Sequence, residues 1–231
     1  MEKININNIF SIGYRCITDD FLVKLNIRNY SSPFSYMVID YKTVFNFIYT
    51  NFNNFLDAKY LQNNNKFYWC ENIWGRNLFF HNSLLPNSKS NILSNWDSVC
   101  IWNHHNLFTE GNTITIRANR LLKLLNNKPE TMLLLCIDKI KEYEINKIFY
   151  DYDFLNIFIN KYNCHLLFLI PLNNYNKDPQ LIVNSDNIKI IYFNSYYDFN
   201  GTGMGDTRIK WAKLETMVLD LYSFNIDKKE K

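Results

Sequence analysis

One cysteine lies where a predicted strand turns into a predicted helix. The stretch SIGYRC, residues 11–16, ends an apolar run, passes Gly13 and leads into a helical pattern that begins near Cys16. A thiol near a helix N-terminus is exposed to the positive end of the helix dipole, which favours the nucleophilic thiolate. Arg15 would add positive charge if its side chain points toward the thiol. The pattern predicts a reactive thiol, and the alternative is a small cysteine buried under a sheet.

A histidine that follows a strand is the second residue type this chemistry needs. In a Cys–His pair the imidazole takes the thiol proton, the thiolate attacks a carbonyl, and a thioester forms. Alternatively, the histidine acts directly as base on an acceptor, and the cysteine only positions the substrate. His81 is the expected base, with His105 in reserve. Adjacent His104 and His105 would point in opposite directions on a strand, so no metal site is predicted.

Two arginines lie one turn apart on a predicted helix face. Arg117 and Arg120 together would suit a phosphate or pyrophosphate, although surface salt bridges are the plainer interpretation. Arg28 is expected to hold a carboxylate or the loop at Ser31. Backbone N–H groups after Gly13 are expected to stabilise an oxyanion.

The glycine-rich stretch at residues 201–206, GTGMGD, matches neither a phosphate-binding loop with a following Lys-Ser or Lys-Thr nor the dinucleotide fingerprint. It is expected to form a mobile lid or a substrate-side turn. Asp206 is expected to cap the last helix or to contact substrate, and orientation of the catalytic histidine by Asp206 or Asn82 is the alternative. The predicted substrate contacts are Gly13, Arg15, Arg28, Ser32 and Asp206.

Strand and helix patterns alternate along the chain. Apolar runs predict strands at residues 4–12, 132–137, 164–170 and 188–193, with a shorter strand within 77–81. Helical spacing of apolar residues predicts helices at 17–25, 41–55, 117–125, 145–159 and 211–221. Ser31 to Phe34 should break regular structure, Asp40 should cap the second helix, and Pro171 should end its strand. Residues 96–108 fit either a helix or a loop.

This order predicts an α/β layered domain with a mostly parallel sheet flanked by helices. The expected division is a single domain over residues 1–226 and a charged tail over 227–231.

The composition excludes several classes of protein. The chain has 231 residues, 47% of them hydrophobic and 17% aromatic, which excludes a disordered protein. Its charge of +3 is spread along the chain, so no nucleic-acid partner is expected. No run is long enough for a membrane span, and the first ten residues lack a secretory signal, so a cytoplasmic protein is expected (in the host cytoplasm if viral). The five scattered cysteines are expected to be free thiols.

The motifs together resemble the signature of a family named putative papain-like cysteine peptidases. That signature runs strand–Ser-x-Gly-x-x-Cys, helix, Leu-Arg, Ser-x-Pro-Phe-Asp-Trp, a His-Asp pair after an aromatic, a helix with two arginines, and a late tryptophan helix. The corresponding residues here are SIGYRC at 11–16, Ile27-Arg28, Ser32 to Phe34, Phe80-His81-Asn82, Arg117, Arg120 and Trp211. The resemblance is strong over residues 9–56 and implies catalytic roles for Cys16 and His81. Two departures are Ser35-Tyr36 in place of Asp-Trp and Asn82 in place of the aspartate.

The order strand, turn, helix differs from that of papain-type enzymes, in which no strand leads directly into the cysteine helix. It is closer to acyltransferases and hydrolases with doubly wound sheets. A similar opening occurs in capsule-polysaccharide acetyltransferases that are thought to use coenzyme A. The resemblance therefore implies acetyl transfer from acetyl-coenzyme A to an amino sugar or nucleotide-linked amino sugar in glycan biosynthesis, with Arg117 and Arg120 on phosphate. Relatives fused to glycosyltransferases imply further glycan-processing domains as partners. The alternatives are a papain-like peptidase and a non-catalytic binding module for glycans or proteins.

Overall fold

The structure is a computed structural model that describes part of the chain. It covers residues 2–13, 16–35, 37–39, 41–53, 55–56, 61–63, 79–81, 101–102, 107–128, 131–137, 152–172, 178–194 and 212–226. The helices are α1 (Cys16–Lys24), α2 (Tyr41–Tyr49), α3 (Leu107–Asn126), α4 (Tyr152–Tyr162) and α5 (Ala212–Leu221). The strands are β1 (Ile4–Ile6), β2 (Asn8–Ser11), β3 (Met37–Val38), β4 (Leu61–Asn63), β5 (Phe79–His81), β6 (Ile101–Trp102), β7 (Met132–Ile137), β8 (His165–Leu172), β9 (Gln180–Asn184), β10 (Ile188–Asn194) and β11 (Tyr222–Phe224).

A five-stranded sheet forms the centre of the fold. Its strand order is β2-β7-β8-β10-β9. The first four strands are parallel to one another, and β9 is antiparallel to β10. The predicted α/β architecture with a mostly parallel sheet is therefore confirmed.

Helices cover both faces of this sheet. Alternate strand residues such as Leu134 and Leu135 point to opposite faces, because successive side chains alternate along a strand. Leu134 belongs to a buried cluster with residues of α2, α3 and α4. Leu135 belongs to a second cluster with residues of α1 and α5. The parallel strands read as continuous apolar runs because each strand is buried from both sides.

The first apolar run is divided into two strands, and its prediction as one strand is wrong. At Asn7 the chain leaves one sheet and enters another: β1 pairs in parallel with β11, whereas β2 pairs in parallel with β7. The backbone N–H groups of Asn7 and Asn8 both donate to the carbonyl of Thr131, at 2.9 and 3.2 Å. Pairing with two distant segments, which no local pattern reveals, causes the division.

Pro171 does not end its strand, contrary to the prediction. The strand β8 continues to Leu172, with Pro171 opposite Phe193 of β10. The neighbouring strand on the other side, β7, already ends at Ile137, opposite Leu169. Proline removes one backbone donor, and here it lies where only one neighbouring strand remains to be paired.

Other boundaries differ from the sequence patterns in extent. The helix α3 begins at Leu107, ten residues before the predicted start, and β6 lies within the segment that fitted a helix or a loop. Strands β9 and β11 were not predicted. The predictions for Asp40, residues 145–151, residues 201–206, Trp211 and the tail 227–231 lie outside the described residues.

A small antiparallel sheet adjoins the main core. Its order is β3-β6-β5-β4, and Met37 of β3 is fully buried in the same cluster as Phe10 of β2. Within the described ranges, no helix combines the length and apolar character needed to cross a membrane.

Candidate active site

The backbone places Cys16 at the carboxyl end of the edge strand of the main sheet. Beyond β2, the N–H of Ile12 still donates to the carbonyl of Leu135 at 2.9 Å, the buried Gly13 lies in a bend, and α1 begins at Cys16. Sites in open α/β sheets form at this end of the strands. The predicted order of strand, turn and helix is confirmed. The side chain of Cys16, together with Tyr14 and Arg15, lies outside the described part of the chain.

A buried carboxylate fixes α1 to β2. Asp19 is 1% exposed. The hydroxyl of Ser11 donates to its Oδ2 atom at 2.9 Å, and the hydroxyl of Ser35 donates to its Oδ1 atom at 2.9 Å. Nε of Arg28 lies 3.1 Å from the same Oδ1 atom. A buried charge is tolerated when it is paired and hydrogen-bonded, so Ser11, Asp19, Ser35 and Arg28 (the Asp19 cluster) form one unit.

The turn after Arg28 is held by its own serines. The N–H of Ser32 donates to Oγ of Ser35 at 2.8 Å, and the N–H of Phe34 donates to Oγ of Ser32 at 3.1 Å. Phe34 is fully buried, with its ring 5.4 Å from that of Phe52. Ser32 is also fully buried, so in this structure it closes the turn, and its contact with substrate stays a prediction.

The segment before this turn contacts β2, which is an outermost described strand of the main sheet. The N–H of Ile9 donates to Oδ1 of Asn29 at 3.3 Å, and Nδ2 of Asn29 donates to the carbonyl of Asn7 at 3.2 Å. Oγ of Ser35 lies 3.5 Å from Oγ of Ser11 at the other end, so this segment contacts both ends of β2. The described parts of the signature at residues 11–35 thus pack together around β2 and α1.

Arg28 makes both of the contacts that its position predicted. Besides its ion pair with Asp19, an Nη atom donates to Oγ of Ser31 at 3.0 Å. Arg28 also lines an open groove of about 420 Å³. The other residues lining this groove are Val23, Asn26, Asn29, Tyr30, Ser31, Thr113, Ile116, Arg117 and Arg120. The structure therefore brings three of the four predicted arginines, Arg28, Arg117 and Arg120, together in one groove (the arginine groove).

The arginines of α3 differ in their surroundings. Burial, followed by the charge of Arg28, lowers the pKa of Arg117, and the charge of Arg120 acts in the same direction. Glu110 and Asp19 act in the opposite direction on this pKa. The guanidinium of Arg120 lies over the ring of Tyr30, 5.2 Å from its centre.

His81 lies in the small sheet. Its backbone is the last residue of β5, opposite Leu61 of β4. Since β6 separates β5 from β3, about two strand spacings, or ~10 Å, separate the backbones of β5 and β3. The side chain of His81 lies outside the described residues, as do Asn82, His105 and Asp206, so the pairing of Cys16 with His81 stays a prediction.

Asp19 is the site residue that sequence reasoning missed. It lies in the first turn of α1, three residues after Cys16, and its side chain is buried. The available signal was its spacing of three residues from Leu22, which is on the buried face of the same helix. In the described part of the chain, no group of three His, Cys, Asp or Glu residues is arranged to hold a metal ion.

Fold and site together define a three-layer α/β protein that carries a cysteine at a strand-to-helix turn beside an anchored carboxylate. Residues 7–200 match the family described as "Putative papain-like cysteine peptidase". The match covers most of the chain, and the protein belongs to this family. No curated protein and no solved structure gives a significant match to the chain.

Proposed function

We propose that this protein is a cysteine-dependent acyltransferase in which Cys16 is the nucleophile and His81 the base. Acetyl-coenzyme A is the proposed donor, and an amino sugar or its nucleotide conjugate is the proposed acceptor. The observation that carries the proposal is the start of α1 at Cys16, directly beyond the carboxyl end of β2. This supports acyl chemistry because the first N–H groups of a helix have no partner within it and can stabilise a thiolate or an oxyanion.

The proposed reaction has two displacement steps. The imidazole of His81 takes the proton of the Cys16 thiol, and the sulfur attacks the acetyl carbonyl. The coenzyme A sulfur leaves and takes that proton, and an acetyl thioester remains on Cys16. The acceptor amine then attacks this thioester, its proton passes to His81, and the thiol of Cys16 is restored. The products are an acetamide and free coenzyme A.

The Asp19 cluster supports this chemistry through rigidity. It ties the first turn of α1 to β2 and to the turn at Ser32 by hydrogen bonds of 2.8 to 3.1 Å. A nucleophile held on elements whose side chains are locked by packing and hydrogen bonds needs little reorganisation during the reaction.

Peptide cleavage is the second candidate, and the family description favours it. The same Cys16 thiolate would attack a peptide carbonyl, and water would release the acyl-enzyme. The two candidates therefore share the thioester and differ in the donor and in the acceptor.

The test measures both reactions on the purified chain. Release of the coenzyme A thiol is followed with acetyl-coenzyme A and a panel of free and nucleotide-linked amino sugars, and cleavage is followed with a peptide library. We expect acetyl transfer, with one acetyl group found on the Cys16 peptide by mass spectrometry. Peptide cleavage without use of acetyl-coenzyme A would establish the peptidase instead.

Variants assign the residues. Cys16→Ala should abolish the reaction, whereas Cys164→Ala, a change in the buried core, should retain it. His81→Ala should strongly lower the rate of the chemical step and leave donor binding intact. If activity is unchanged, His81 is not the base, and His105 is tested next.

Alkylation separates an active thiol from a buried one. Cys164 is 1% exposed, and burial raises the pKa of its thiol to about 12, so iodoacetamide at neutral pH should label Cys16 far sooner. Equal, slow labelling of both would favour a binding module.

A further inference from the structure

The arginine groove combines positive charge with apolar walls. Among its ten lining residues are three arginines and neither aspartate nor glutamate. Val23 of α1 and Ile116 of α3 also line it, and their side chains are 53% and 59% exposed. A volume of about 420 Å³ lies in the range of small-molecule sites.

The charge of Arg28 is already compensated. Its guanidinium pairs with Asp19 and donates to Ser31, so it is held in place at the side of the groove. This leaves Arg117 and Arg120 as the source of net positive charge among the lining residues.

Arg117 and Arg120 form no ion pair with any described residue. Arg117 is nevertheless half-buried, and it lines the same groove as the guanidinium groups of Arg28 and Arg120. Burial of a cation beside like charges costs free energy, and groups held at such a cost are common at binding sites. The charges of Glu110 and Asp19 offset part of this cost for Arg117. An anion placed among the three arginines would lower the remainder.

We propose that the arginine groove binds the diphosphate of a nucleotide-containing ligand, with Arg117 and Arg120 on the phosphates. A guanidinium group can bind a phosphate through two parallel hydrogen bonds, so two neighbouring arginines suit the two phosphates of a diphosphate. Asn26 and Thr113 supply further polar groups, and Val23 and Ile116 offer apolar contact to the remainder of the ligand. Coenzyme A and a nucleotide sugar share this diphosphate chemistry.

The groove is at the far end of α1 from Cys16. Val23 lies seven residues after Cys16, or about 10 Å along a helix axis. A ligand whose phosphates bind in the groove therefore needs a long arm to bring an acyl group to the thiol. In this respect the inference rests on the proposed function and favours coenzyme A over a nucleotide sugar as the occupant.

Calorimetric titration of the full chain tests the binding site. The probes are ADP, coenzyme A, a uridine diphosphate amino sugar, inorganic pyrophosphate and sulfate, all at one ionic strength, because surface charge effects depend on salt. We expect the diphosphates to bind at least tenfold more tightly than sulfate. Arg117→Gln and Arg120→Gln should each weaken ADP binding at least tenfold, as expected for loss of a charged hydrogen bond.

Lys123→Gln is the matched control. It removes the same charge from the same helix at an exposed position outside the groove, and ADP should bind to it within twofold of wild type. Without ligand, Arg117→Gln should have an unchanged or higher melting temperature. Wild-type affinity in both arginine variants, equal loss in Lys123→Gln, or sulfate binding as tight as ADP would each overturn the site.

The two proposals fail in different ways. Cys16→Ala should lose acyl transfer and keep ADP binding. Arginine-dependent binding without any acyl transfer by wild type would remove the proposed function and keep the groove. Acyl transfer with an unchanged KM for acetyl-coenzyme A in both arginine variants would remove the groove as the donor site and keep the function.

Discussion

Asp19 and Arg28, both close to β2, have structural roles that their residue types alone do not reveal. Asp19 accepts two serine hydroxyls and pairs with Arg28 while almost fully buried. Arg28 in turn joins this buried carboxylate to the arginine groove. Through these contacts one aspartate links the helix that carries Cys16 to the groove proposed to bind phosphate.

Asp19→Asn should destabilise the protein. The substitution leaves Arg28 without its carboxylate and weakens two hydrogen bonds, and we expect the free energy of unfolding to fall by about 2–3 kcal/mol. Urea denaturation at neutral pH measures the change. Asp220→Asn removes a charge from an exposed position of α5 and should stay within about 0.5 kcal/mol of wild type. Equal stability of both variants would show that the Asp19 cluster contributes little.

At the scale of secondary structure, the C-terminal end of α3 is closed by a residue with a positive φ angle. The helix α3 carries two of the groove arginines and ends just before Lys128, which has a φ of 48°. The N–H of Lys128 donates to the carbonyl of Leu125 at 2.9 Å, and its own carbonyl accepts a hydrogen bond from Asn163. A left-handed residue at this point is usual, but glycine adopts it with less strain than lysine.

Lys128→Gly should stabilise the protein. The folded chain loses the strain of a side chain at positive φ, which outweighs the greater freedom of glycine in the unfolded chain, and the expected net gain is about 0.5 kcal/mol. Thermal and urea unfolding measure it. Lys123→Gly, in the interior of the same helix, should instead destabilise by about 1 kcal/mol. A loss of stability in Lys128→Gly would mean that the lysine side chain itself contributes to the helix end.

At the scale of the whole molecule, two buried clusters lie on the two faces of one sheet. Cys164 is part of the cluster that also contains α2, α3 and α4, and burial raises the pKa of its thiol from 9.0 to about 12. Between these two pH values the unfolded chain has lost a proton that the folded chain keeps. The free energy of unfolding therefore falls as the pH rises above 9, by up to about 1.4 kcal/mol per pH unit.

Cys164→Ala should remove this contribution to alkaline unfolding. Urea denaturation at pH 7 and pH 10.5 gives the stability difference between variant and wild type at each pH. We expect this difference to shift by about 2 kcal/mol in favour of the variant at the higher pH. Buried Tyr222 has its pKa raised by burial as well, so both proteins should retain some loss of stability at high pH. A difference that does not change with pH would refute the role of the thiol.

The sequence by itself determined the layers of this protein and the start of its site. Runs such as 132–137 and 188–193 are apolar throughout, because strands covered on both faces expose no polar side, and they form β7 and β10. The order of strand, Gly13 and helix at Cys16 is also local, since turn chemistry and helical spacing act over a few residues. Both were therefore predictable.

Only the tertiary structure decided which residues meet. The division at Asn7 depends on strands more than one hundred residues away. The continuation of β8 through Pro171 depends on β10, about twenty residues away. The Asp19 cluster joins a strand, a helix and a turn, and the arginine groove joins residues almost ninety positions apart. Hydrogen bonds and charge interactions of this kind depend on distance in space, and the pattern of residues along the chain does not determine that distance.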